Sequence, residues 1–259
     1  MATLMHTKAQ IQARFHKAKP TYAQNATIQQ EMQHTLLQML SKHCPKRNLA
    51  NVLELGSGNG ILCQKLLQIF DFESFLAVDL VDFSREFAEI GQKTKSKIKF
   101  LQADFEDFNA LQSVQPTLKY DLILSNAAIQ WVHQPSFLPK LNALLSPNGF
   151  LAFSTFGKEN YKELRELSSV GLEYLNLEDY AKILGANFEI LESFADKKQL
   201  RFPNALEVFR HLQSTGVNSL KHDFSLHKTH LKAYQERFCN VLTYHCLYVV
   251  AGNRHKCDF

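Results

Sequence analysis

Residues 52–60 read VLELGSGNG, an apolar run closed by three glycines spaced two apart. Val52, Leu53 and Leu55 have the continuous apolar character of a strand buried on both faces, as in a parallel sheet. Gly56, Gly58 and Gly60 then allow a sharp turn, because no Cβ restricts φ or keeps neighbours away. The stretch predicts a strand, a tight turn and a helix starting near Ile61, with something lying against the bare backbone.

Working outward, four more short apolar runs follow in order: SFLAVDL, IKFLQAD, YDLILSN and GFLAFSTF. The segments between them, ILCQKLLQIF, FSREFAEIGQK, EDFNALQSV and SFLPKLNALL, have helical or mixed patterns, and the last is closed by the turn residues SPNG. Strand and helix in alternation argue for a parallel sheet with helices on both faces. Ligands of such sheets sit beyond the carboxyl ends of the strands, where the strand order reverses. Upstream, Ile28, Met32, Leu36, Leu37 and Leu40 recur at helical spacing. Beyond Phe156, NYKELRELSSVGLEYL, LEDYAKILGA and ALEVFRHLQSTG read as helices, FEILESFADKKQLRF as one or two strands, and VLTYHCLYVVAG as a late strand.

The chain has 259 residues, 45% of them hydrophobic, enough for one large domain or one domain with an appendage. No apolar stretch reaches membrane-spanning length, and the polar N-terminus lacks the apolar core of a signal peptide, so the expectation is a cytoplasmic protein with no membrane partner. Five scattered cysteines, with no Cys-x-x-Cys pair, argue for free thiols and no metal. A net charge of +4 is too mild to imply nucleic acid but permits an acidic protein partner.

The glycine spacing departs from the dinucleotide fingerprint, since Ile61 stands where that pattern needs its third glycine. Glu54, Gly56, Gly58 and Gly60 instead resemble the first motif of the class I S-adenosylmethionine-dependent methyltransferases. The resemblance implies a turn against the methionine part of the cofactor, with Glu54 toward its amino-acid end. Asp79, with Leu80 after it, closes the second run, where an acid can accept both ribose hydroxyls. Asp104 and Phe105 close the third run and suit the adenine; capping of a helix near Glu106 is the competing use of Asp104. Asn126 ends the fourth run beside the glycine turn.

Over nearly its whole length the chain resembles the malonyl-acyl-carrier-protein O-methyltransferases of biotin synthesis. Phe15, Ala18, Tyr22, Ala26 and Gln29 match that family's N-terminal pattern. Ser125, Asn126, Gln130 and Trp131, then Phe153, Ser154, Thr155, Glu163 and Leu164, match its central signatures. RHLQSTGVN resembles its Arg-x-Leu-Lys-x-x-Gly-Ala, with Gln213 for the lysine and Val217 for the alanine, and VLTYHCLYVVAG resembles its Leu-Thr-Tyr strand.

The resemblance implies a Rossmann-like α/β fold with a mostly parallel seven-stranded sheet, helices on both faces and an added helical cover. Residues 1–45 would be an N-terminal helical segment covering the cofactor site, and 46–259 the methyltransferase domain with a helical insertion around 160–240. The cofactor would be S-adenosyl-L-methionine and the partner an acyl carrier protein bearing malonyl, or malonyl-CoA, with the oligomeric state open. A malonyl carboxylate, of pKa about 4, is ionised at neutral pH, so no general base is needed and His133 reads as a surface residue. Arg210 is the first choice to fork onto that carboxylate, a solvated helix arginine being its plain alternative. Tyr22 and Gln29 would close over the cofactor and Trp131 would wall the site. Lys158, Lys162, Arg165, Lys197, Lys198 and Arg201 are candidates to meet an acidic carrier. Two other readings stay open: a methyltransferase for another small carboxylic acid or a quinone-type carbon, and a cofactor-binding interaction module without catalysis.

Overall fold

A computed structural model describes residues 7–114, 117–168, 172–215 and 227–254. Seven strands form one sheet: β1 Asn48–Leu55, β2 Asp71–Asp79, β3 Lys97–Gln102, β4 Tyr120–Asn126, β5 Leu145–Phe156, β6 Phe188–Arg201 and β7 Val241–Asn253, in the order β3-β2-β1-β4-β5-β7-β6. The pairs β1–β2, β1–β4, β2–β3 and β4–β5 are parallel, as the alternation of strand and helix predicts. The bonds Arg254 N–H to Asn187 O and Phe202 N–H to Asn240 O set β7 antiparallel to β6, which makes the sheet mixed at that edge.

The chain groups into two compact units. One comprises Gln29–Thr155, Leu177–Phe194 and Leu247–Phe259, the other Met1–Ile28, Phe156–Asn176 and Ala195–Cys246. The first holds the glycine turn and its parallel strands. Val52, Leu53, Leu55, Ala77, Val78, Ile123 and Leu124 are buried there, consistent with strands covered on both faces.

The N-terminal segment is two helices, Lys8–Asn25 and Thr27–His43, separated at Ala26. Thr7 and Gln10 form a capping box on the first, so its start is written locally. In the second, Ile28, Met32, Leu36, Leu37 and Leu40 are all buried, the face their spacing predicts. The SFLPKLNALL segment differs from a regular helix: a single turn, Gln134–Phe137, passes into 3-10 helix over Leu138–Leu144. Pro139 has no N–H to continue an α-helical ladder. The SPNG turn lies inside β5 as an irregularity, because the β4 register jumps from Tyr120↔Leu145 to Leu122↔Phe150. FEILESFADKKQLRF gives one long strand, β6. Gly216, Val217 and Cys257 lie outside the described residues, as does the start of the N-terminus.

Candidate active site

Strand β1 lies between β2 and β4, so the strand order reverses at its carboxyl end, and the glycine turn sits at that switch point. All three glycines have positive φ, 71° at Gly56, 52° at Gly58 and 79° at Gly60. They serve different purposes. A Cβ at Gly56 would stand 2.3 Å from the Ala128 Cβ, and one at Gly60 would stand 2.5 Å from Ile90 Cδ1. At Gly58 a Cβ would meet nothing within 4 Å. Two glycines thus admit neighbouring side chains, and of the three only Gly58 opens onto free space. The turn is fixed by its own bonds: Gly56 and Ser57 donate N–H to Val78 O at 2.8 and 3.1 Å, and Gly60 to Ser57 O at 3.3 Å.

Asp79 holds the same turn from β2. Its carboxylate accepts from the Gly58 N–H and from the Val81 N–H, each at 2.9 Å. Glu54, one residue before the end of β1, is 1% exposed, and its Oε2 has no hydrogen-bond partner. Burial, and then the nearby Asp79 charge, push its carboxyl well above the usual carboxylate range. Cys63, in the helix Ile61–Leu66, has its thiol raised by burial and then by Glu54. Ser57 Oγ in the turn and Gln29 Oε1 are also buried without a hydrogen-bond partner. Orphaned polar atoms cost about 1–3 kcal/mol each, so Glu54 and Ser57, which flank the switch point in sequence, suit a polar ligand that completes their bonding.

The other expected cofactor positions are described by their bonds. Asp104 accepts from the Glu106 N–H at 3.0 Å in a local turn, while Asp107 caps the helix Phe108–Val114 through the N–H groups of Asn109 and Ala110. The helix-cap use weighed for Asp104 therefore belongs to Asp107. Phe105 is buried, its ring 5.6 Å from that of Phe137. The Leu80 carbonyl accepts from Gln102 Nε2. Asn126 spends its amide on neighbours, donating to Gln29 O at 3.1 Å and accepting from Ser154 Oγ at 2.6 Å. That pair ties β4 and β5 to the start of the helix carrying Gln29.

Trp131 lies half-buried at the end of a 3-10 turn, Ile129–Trp131, in the same unit. His133 is exposed, with its ring against Ser136 Oγ at 2.8 Å. The structure adds two residues the sequence did not single out, Ala127 and Ala128. Ala127, directly after β4, has φ 52°, and Ala128 fills the hollow above Gly56. Gln130 is buried and bonds Ala127 O and Thr155 Oγ1. A non-glycine residue at positive φ leaves no trace in composition, so no sequence signal marked Ala127.

Tyr22 and Arg210 belong to the other unit. Tyr22 is half-buried, 6.5 Å edge-on from Phe15, and close enough to Tyr161 and Tyr244 to act on their ionisation. Arg210, in the helix Ala205–Ser214, is 62% exposed and pairs with Glu207 at 2.5 Å. The buried face of that helix is Ala205, Val208, Phe209 and Leu212, which leaves Arg210 on its outer side. Lys197 pairs with Glu159 at 2.5 Å, Lys198 lies 3.8 Å from Asp196, and Arg201 donates to Cys239 O.

A family model described as a methyltransferase domain matches residues 24–225. The malonyl-[acyl-carrier protein] O-methyltransferase of Calditerrivibrio nitroreducens is 32% identical, across 94% of this chain and 96% of that protein. That of Haemophilus influenzae is 35% identical, across 96% and 95%. Among solved structures, the 1,6-didemethyltoxoflavin N1-methyltransferase of Burkholderia thailandensis superposes with a TM-score of 0.60 at 16% identity, over 98% of this chain and 94% of that one. Sheet order, glycine turn and family match together define a methyltransferase of the class I, Rossmann-like kind. Within that class, the chain belongs to the malonyl-[acyl-carrier protein] O-methyltransferase family.

Proposed function

We propose that this chain methylates the free carboxylate of a malonyl thioester carried on acyl carrier protein, an early step of biotin synthesis, with S-adenosyl-L-methionine as methyl donor. The observation that supports the donor is the switch point itself, where Gly58 opens onto free space beside the buried, unpartnered Glu54. A ligand with an ammonium group supplies the charge that Glu54 lacks, and one with vicinal hydroxyls suits Asp79. When bound, the cofactor would supply a methyl activated by its sulfonium, for transfer to a carboxylate oxygen with the neutral thioether as leaving group. Glu54 would hold the ammonium, Asp79 the ribose hydroxyls, and Asp104 with Phe105 the adenine. Gln29 and Asn126 would border the methionine part, and Leu80 would line the ribose.

The acceptor is ionised on its own, so the chain has only to bind and align it. Attack of an anion on a cation destroys both charges, which places a limit on the anchor: pairing that is too strong stabilises the ground state more than the transition state. Tyr22, Trp131 and Arg210 are the acceptor-side candidates, and an acidic carrier suits the cations at Lys158, Lys162, Lys197, Lys198 and Arg201. The carrier is supported by the names of the relatives. Incubation of the protein with S-adenosylmethionine and malonyl carrier protein should add the mass of one methylene to the carrier. Malonyl-CoA tests the need for the carrier, and acetyl carrier protein should gain nothing. A malonyl carrier left unmodified, with cofactor binding intact, would refute the reading.

A further inference from the structure

Ala127, the first residue past β4, stands in a left-handed bend that a glycine adopts freely and an alanine adopts only against its own Cβ. Such a residue has to be held. Its N–H donates to Ser154 O at 2.9 Å, and its carbonyl accepts from Gln130 Nε2 at 2.6 Å. Gln130 is 7% exposed and is fixed at its other end too, where its Oε1 accepts from the Thr155 hydroxyl at 3.1 Å. Thr155 is fully buried in β5. The two bonds settle which way the amide points, since only its NH2 can donate to a carbonyl.

The bend decides where Ala128 goes. Its Cβ lies 2.3 Å from the place that a Cβ on Gly56 would occupy, so it fills the hollow over the first glycine of the turn. That turn runs on through Ser57 to Gly58, whose N–H bonds Asp79 and whose Cβ position is open. On the other side of the bend, Asn126 donates to Gln29 O and accepts from Ser154 Oγ. Thr155, Gln130, Ala127, Ala128 and Gly56 thus form one line of contacts from the interior of β5 to the glycine turn, all within a single compact unit.

We propose that Gln130 is a positioning residue for the methyl donor: its amide holds Ala127 left-handed, which keeps Ala128 packed on Gly56 and the glycine turn in its binding shape before the donor arrives. This rests on the methyltransferase reading above. Gln130 acts through the bend and not on the methyl. Without its amide Ala127 relaxes toward negative φ, the competent turn becomes one state among several, and the apparent affinity for the donor falls in proportion to the population that keeps the bend. Once the donor is bound, the transfer step is unchanged.

The test measures the calorimetric affinity of the full chain for S-adenosylmethionine when Gln130→Met is placed in two backgrounds, wild type and Ala127→Gly. Methionine keeps the bulk and removes the amide. In the wild-type background Kd should rise about 5- to 30-fold, the factor by which a left-handed alanine is disfavoured. KM for the donor should rise alike, while kcat with malonyl carrier protein stays within about twofold. In the Ala127→Gly background the same substitution should raise Kd by less than about twofold, because glycine keeps the bend unaided. Thr155→Val leaves the amide but removes the hydroxyl that orients it, so it should weaken binding about two- to tenfold, again only where residue 127 is alanine. It carries the test if Gln130→Met does not fold. An unchanged Kd in the wild-type background would overturn the role, as would a loss of equal size in both backgrounds, which would mean that the substitution is felt through the core and not through the bend. A wild-type protein that takes up no S-adenosylmethionine would instead remove the methyltransferase reading, and this role with it.

Discussion

The glycine turn after β1 and the segment around Tyr161 both bend the chain through positive φ, yet they do so by different means. In the turn, each left-handed position is a glycine, so the bend is nearly free of strain and visible in the sequence. In the other unit the left-handed residues are Tyr161 at 52°, Cys239 at 49° and Asn240 at 57°. Packing holds Tyr161 there. Tyr161 is 1% exposed, its ring lies 5.0 Å edge-on from Tyr244, and its N–H bonds Thr243 O. Glu163, buried two residues further on, fastens the helix Lys162–Ser168 to Thr243 of β7. A bend written in glycine is specified locally, and one written in tertiary contacts is specified by residues eighty positions away.

The largest expected effect breaks the first region. Gly58→Val should abolish S-adenosylmethionine binding by calorimetry, because its branches enter space that protein atoms leave open. The left-handed φ should cost the fold only about 1–2 kcal/mol. Undiminished binding would mean that the cofactor does not approach Gly58.

Glu54→Gln should weaken the cofactor nearly as much while raising Tm at neutral pH. Its carboxyl is raised in the folded state, so folding takes up a proton there, and the group costs stability as pH climbs from the ordinary carboxylate value through the raised one. The amide escapes that cost. In the wild type, an ammonium ligand favours the ionised form, so binding should release protons and tighten as pH rises. Calorimetry in buffers of different ionisation heats checks this, and proton uptake on binding would sink the assignment.

Asp79→Ala comes next, with a loss of about 1.5–3 kcal/mol in cofactor binding. Unlike Glu54→Gln it should lower Tm, since the Gly58 and Val81 N–H groups lose their acceptor. Smallest is His133→Ala, which should leave kcat within about twofold, because an ionised carboxylate needs no base. A loss of orders of magnitude would point to a hydroxyl or carbon acceptor.

What could be read from the sequence follows the same division. The five apolar runs, the glycine turn and the buried face Ile28, Met32, Leu36, Leu37 and Leu40 depend on local patterns, and each stands in the structure where the pattern put it. The strand-end acids were legible because a parallel strand places its last residues at one edge of the sheet. Arg210 stood out through the family's Arg-x-Leu, but its exposed pairing with Glu207 depends on the helix's orientation, which that motif does not report. The passage of SFLPKLNALL into 3-10 helix was hidden for a similar reason: helical periods of 3.0 and 3.6 are indistinct over one turn.

Gly56 and Ala128 share room for a single methyl group, with 2.3 Å between the Ala128 Cβ and the place a second would occupy. The left-handed backbone at Gly56 settles which residue carries it. Drift at these positions is therefore coupled. A lineage that enlarges residue 128 must reshape the turn, and one that replaces Gly56 must first lose the methyl opposite and then bear the strain. Among descendants of this chain the pair should vary together or stay fixed, while Gly58, whose Cβ would meet no protein atom, carries only the cost of its left-handed φ wherever methyl transfer has been abandoned.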